Sequence, residues 1–78
     1  MTDGKKVLVS SKERIENNFT YHAPKGDQPD RYERIRAKGK ELALMIDELC
    51  PISREQSLAM TKLEEAVFWA NASIARNE

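Results

Sequence analysis

Two residues carry the chemistry most open to this chain. Tyr21 offers a ring on which a nucleobase can stack, and Arg36 offers a guanidinium able to hold a phosphate through two parallel hydrogen bonds. His22 and Lys25 sit near Tyr21 in residues 19–28, FTYHAPKGDQ, and Lys38 follows Arg36 in a run of cations. An aromatic wall and a cationic floor suit a small nucleotide, provided association sets Tyr21 of one subunit beside Arg36 of its neighbour. The competing account makes Tyr21 a core or interface residue and pairs Arg36 with Glu33 or Glu41. The spacing leaves both accounts open.

Catalysis is poorly served. His22 is the only histidine, no motif places a serine or cysteine beside it, and a lone loop histidine more often forms a hydrogen bond or stacks than acts as a base. Glu64 and Glu65 are helical neighbours pointing about 100° apart, so they do not converge on a proton or a metal. Cys50, the single cysteine, has no CxxC companion, and no glycine-rich phosphate loop occurs. The expectation is a non-enzyme with no catalytic residue, no metal site and no cofactor.

The elements that must position Tyr21 and Arg36 are helical. Over residues 27–50, DQPDRYERIRAKGKELALMIDELC, apolar residues at Tyr32, Ile35, Leu42, Ile46 and Leu49, with Gly39 in the remaining slot, follow the three-and-four spacing of one helix face. Asp27 is the expected N-cap, Pro29 lies in the first turn, and Pro51 ends the helix by disfavouring helical geometry at Cys50. Ser53-Arg54-Glu55-Gln56 reads as a capping box that starts another helix near Arg54. That helix continues to about Arg76, with Met60, Leu63, Val67, Ala70 and Ile74 on its apolar face. Two helices of roughly 22 residues, each about 33 Å long, then form an antiparallel hairpin.

Ahead of the hairpin, Ser10 or Ser11 can cap a short helix over about residues 12–18, which is ordered only if Ile15 and Phe19 dock on something. Residues 1–10 read as a flexible arm, and residues 11–78 as a single helical domain. The fold class is therefore all-α: a short N-terminal helix plus a long helical hairpin. Such a hairpin has too little interior to stand alone. Leu58, Phe68 and Trp69 widen the apolar arc of the last helix, and small residues punctuate the surface, which together point to a homo-oligomer. The alternative is a three-helix monomer whose first helix covers Phe68 and Trp69.

Charge is balanced overall but unevenly placed: residues 1–40 hold ten Lys/Arg against six Asp/Glu, and residues 41–78 hold three against seven. A basic and an acidic half favour anion binding or pairing of copies head to tail. Glu33 and Glu41 interrupt the basic run, which argues against long nucleic acid as a partner. There is no apolar run of membrane-spanning length and no signal-like N-terminus, so a soluble, cytoplasmic protein with no membrane partner is expected.

Thr20-Tyr21-His22, then Ile35-Arg36-Ala37-Lys38-Gly39 with Glu41-Leu42, then Arg54 with Leu58-Ala59, Thr61, Leu63 and Ile74-Ala75, occur in an order and spacing that resembles the phage anti-CBASS cyclic-nucleotide sponges. The likeness spans residues 20–76. It implies an all-helical homohexamer that binds cyclic dinucleotides such as 3′,3′-cyclic GMP-AMP between protomers, with cyclic trinucleotides at separate sites in some members. The ligand is held and not cleaved, in the cytoplasm of an infected bacterium, where its loss silences CBASS immunity. By motif the stacking role falls on Tyr21 and the phosphate contact on Arg36, where the family form is lysine. The ligand-binding set expected is thus Tyr21, Arg36, His22, Lys25 and Lys38. The rival function is a helical adaptor that binds protein through Phe68, Trp69 and the apolar surface around them.

Overall fold

In the computed structural model, which describes residues 10–78, three helices follow one another: α1 Ser11–Asn18, α2 Gln28–Leu49 and α3 Arg54–Asn77. No strand occurs among the described residues. Apart from Ser10, the N-terminal arm expected over residues 1–10 lies outside them.

The helix starts follow from their caps. The Ser10 hydroxyl accepts from the Glu13 N–H at 3.1 Å, and the Ser53 hydroxyl accepts from the Gln56 N–H at 3.1 Å. Only half of the expected capping box forms, because the Gln56 amide donates to the Cys50 carbonyl at 3.0 Å and so ties α3 to the end of α2. Asp27 occupies the N-cap of α2, yet its carboxylate makes no cap bond there. It pairs with Arg31 Nε at 3.2 Å, one turn along. Gly26 precedes it with φ 56°, a left-handed backbone that suits glycine in this turn. Cys50, at φ −109° and ψ 135°, has already left the helical region before Pro51.

α2 and α3 pack antiparallel. Tyr32, Ile35, Gly39, Ala43 and Ile46 of α2 are half-buried against Met60, Leu63, Val67, Ala70 and Ile74 of α3. The α3 face agrees with its sequence pattern. On α2, Ala43 replaces Leu42 as the inward residue, because the row from Ile35 through Gly39 continues in steps of four on a straight helix. Leu42 and Leu49 stay exposed on its flanks.

The far end of the hairpin is clamped by polar groups. The Glu78 carboxylate accepts from both terminal nitrogens of Arg31, the Nη1 bond measuring 3.0 Å. Gln28, the one buried polar residue among those described, receives the Lys25 N–H at 3.1 Å and donates to Glu78 at 3.5 Å. Lys25 Nζ also donates to the Glu78 backbone carbonyl at 2.9 Å. The hydrogen bond to Arg31 holds the Glu78 carboxyl below its ordinary value, and that to Glu78 raises Arg31.

α1 docks differently from expectation. Ile15 and Phe19 are 58% and 87% exposed, so apolar docking does not hold it. The attachment is polar: Asn17 Nδ2 donates to the Arg76 carbonyl at 3.0 Å, near the end of α3. Phe68 and Trp69 are 57% and 56% exposed, so α1 does not cover them as the three-helix monomer requires. No apolar side chain among the described residues is buried, since two helices cannot enclose an interior.

Candidate functional site

The connector between α1 and α2 lies across the last turns of α3. His22 Nε2 donates to the Asn17 carbonyl at 2.8 Å, which assigns the proton to that nitrogen and pins the loop beside α1. Tyr21, the preceding residue, is turned outward and 83% exposed. It is therefore no core residue of the single chain.

Tyr21 and His22 share a groove of about 410 Å³ with Tyr32 and Arg36 of α2 and with Asn71 and Arg76 of α3. Tyr21 and Arg36 thus line one groove of a single chain, whereas the sequence reading joined them across subunits. The groove holds a ring for stacking and two guanidinium groups for anions. Arg36 Nη1 lies 3.1 Å from Glu33, the pairing the competing account named, with both side chains mostly in solvent. An exposed pair three positions apart on a helix is worth little, so a phosphate can displace Glu33 at small cost.

The remaining two expected residues lie elsewhere. Lys25 faces a smaller recess of about 250 Å³ beside the groove, shared with His22, Arg76 and Glu78, and is engaged in the clamp. Lys38 lies 3.4 Å from Glu41 and lines a different groove of about 590 Å³, together with Arg31, Arg34, Ile35 and Ile74. Tyr21, His22 and Arg36 are brought together; Lys25 stands next to them and Lys38 apart.

Sequence reasoning missed Asn71 and Arg76, and it placed Tyr32 on the packing face only. A signal existed: Phe68, Asn71, Ala72, Ala75 and Arg76 repeat at three-and-four spacing beside the α3 packing face, forming a second stripe that reaches the groove. The Arg76 guanidinium also lies over the Trp69 ring at 5.6 Å from its centroid, and Trp69 meets Phe68 edge-on at 5.0 Å.

No cluster of His, Cys, Asp or Glu among the described residues could hold a metal ion. Nor is any described helix long and apolar enough to cross a membrane. Residues 11–75 match the sequence profile of the Acb2/Tad1 hairpin domain, from the start of α1 to the last turn of α3. The chain belongs to the Acb2/Tad1 family. This is the anti-CBASS cyclic-nucleotide sponge family, known for sequestering cyclic nucleotides and not for an enzymatic activity. The Acb2/Tad1 match covers the loop carrying Tyr21 and His22, the Arg36 turn of α2 and the Asn71 stretch of α3, and ends one residue before Arg76. Neither a curated protein nor a solved structure matches the chain significantly.

Proposed function

We propose that this Acb2/Tad1 protein binds and sequesters cyclic oligonucleotide second messengers without cleaving them, and so blocks CBASS immunity in the cytoplasm of an infected bacterium. Cyclic dinucleotides such as 3′,3′-cyclic GMP-AMP are the foremost ligands, with cyclic trinucleotides as further candidates. The observation that carries the reading is the convergence of Tyr21, His22 and Arg36 on one groove in a chain of a sponge family. Tyr21 stacks on a base, Arg36 takes a phosphodiester oxygen pair, and His22 holds the loop in place. Lys25 and Lys38 add positive potential from the neighbouring recess and the second groove.

The groove of one chain is open on one side, and a second copy closes it. Self-association is supported by the apolar surface a single chain leaves in solvent, where Leu44, Met45, Leu49, Ile52, Phe68 and Trp69 are all more than half exposed, and the hexamer is the assembly the family resemblance implies. A sponge needs affinity and copy number. Against a signal at submicromolar concentration, a useful dissociation constant is about nanomolar, or about 12 kcal/mol. The cations of α2 alternate with paired carboxylates, which disfavours long nucleic acid.

Calorimetric titration against a panel of cyclic di- and trinucleotides, with linear dinucleotides as controls, tests the proposal. Tight binding of at least one cyclic dinucleotide is expected. The adaptor reading, favoured by the exposed Phe68–Trp69 pair, predicts no heat with any of them.

A further inference from the structure

Arg76, in the last turn of α3, faces the groove that Tyr21 and Arg36 line. Its guanidinium lies over the Trp69 ring, 5.6 Å from the centroid. A cation over an aromatic face is held by the ring's quadrupole, which leaves its charge uncancelled. No carboxylate among the described residues pairs with Arg76. Glu78, the acid in the neighbouring recess, is taken by Arg31 instead. Arg36, by contrast, already shares one prong with Glu33 at 3.1 Å. Arg76 is thus the guanidinium of the groove that can meet an anion without first giving up a carboxylate. The end of α3 favours a cation anywhere in its last turn; this one is turned to the groove.

A cyclic dinucleotide carries two phosphodiester groups in one ring. Each has a pair of unbridged oxygens and one negative charge, which suit the fork of a guanidinium. Arg36 stands on α2 and Arg76 on α3, the two helices that flank the groove. Two guanidinium groups then match two charges, one from each side.

We infer that Arg76 is the second phosphate-binding residue of the groove, with Trp69 as the residue that positions it, so that a ligand with two phosphodiesters is favoured over one with a single phosphodiester. The inference rests on the proposal that the groove takes a cyclic dinucleotide. Arg76 lies one residue past the span that matches the Acb2/Tad1 profile, so the family match does not supply it.

Titration of the full chain with 3′,3′-cyclic GMP-AMP and with 3′,5′-cyclic AMP at several salt concentrations tests this, using the wild type, Arg76→Gln, Arg76→Lys and Trp69→Leu. The wild type should bind the cyclic dinucleotide more tightly. Arg76→Gln should weaken it at least tenfold, narrow that preference, and flatten the slope of log affinity against log salt by about 0.7, the share of one phosphate contact. Arg76→Lys should keep the wild-type slope and recover part of the affinity. Trp69→Leu should lose about 2- to 5-fold, the strength of one exposed cation–π contact, with the slope unchanged. The helical signal in circular dichroism should survive each change, because Asn17 holds the backbone carbonyl of Arg76 and not its side chain. Wild-type affinity in Arg76→Gln, a weaker affinity with the wild-type slope, or a lost helical signal would overturn the role of Arg76 and leave the sponge reading standing. Wild-type affinity in Trp69→Leu would overturn the positioning role of Trp69. A wild type that binds neither nucleotide would sink the inference and the sponge reading together.

Discussion

Gly39 of α2 meets Val67 of α3 so closely that a Cβ placed on the glycine would stand 2.7 Å from Val67 Cγ2. This contact sets the separation of the two long helices midway along the hairpin, and with it the distance between Arg36, one turn before Gly39, and Asn71, one turn after Val67. The geometry of the groove therefore depends on a missing side chain.

Gly39→Ala should destabilise the protein despite the better helix propensity of alanine. Propensity favours the variant by about 1 kcal/mol, while overpacking costs about 1–3 kcal/mol. Denaturant unfolding should show a net loss, and Val67→Ala in the same chain should recover part of it. If Gly39→Ala melted higher than the wild type, the close approach would not govern the packing.

Arg36→Ala should leave folding nearly untouched, within about 0.5 kcal/mol, since its pairing with Glu33 is solvent-exposed. Nucleotide affinity should fall at least tenfold, and Arg36→Lys should restore much of it, because charge is kept while the two-pronged geometry is lost. Titration of the three proteins with 3′,3′-cyclic GMP-AMP reads both effects.

Much of this arrangement is legible in the sequence, because helix faces and caps are local. The ends of α2 and α3 follow from Asp27, Pro51 and Ser53, and the α3 packing face from Met60 through Ile74. What escapes is nonlocal and polar. Asn17 reaches the Arg76 carbonyl and Arg31 reaches Glu78 across tens of residues, and no periodicity encodes such bonds. Ile15 and Phe19 looked like docking residues because apolar side chains usually dock; the polar bond at Asn17 leaves them in solvent. Asn71 and Arg76 belong to a stripe of mixed polarity, which the search for an apolar face passes over.

Tyr21→Ala should weaken nucleotide binding by about 1–3 kcal/mol, the value of one base stacked on an aromatic ring. Tyr21→Phe should bind nearly as the wild type does, since the ring does the stacking. Because Tyr21 is largely in solvent, neither change should alter the helical signal in circular dichroism. Equal loss in both variants would assign the contact to the hydroxyl.

Acid should loosen the clamp between α2 and α3. The Arg31 hydrogen bond lowers the folded-state value of Glu78 below the ordinary 4.5, so the native chain binds this proton less readily than the unfolded one. Its stabilisation is complete above that ordinary value and is lost as pH falls through the lowered folded one. Melting curves of wild type and Glu78→Gln should differ at neutral pH and converge in strong acid; a constant gap would assign the stability to another group.

Sequestration without chemistry is tested most directly by mixing the protein in excess with 3′,3′-cyclic GMP-AMP, filtering off free nucleotide, then heating to release what was bound. The account predicts that the filtrate is depleted and that heating returns the cyclic dinucleotide intact and in full. Linear products after heating, or a filtrate that was never depleted, would contradict it.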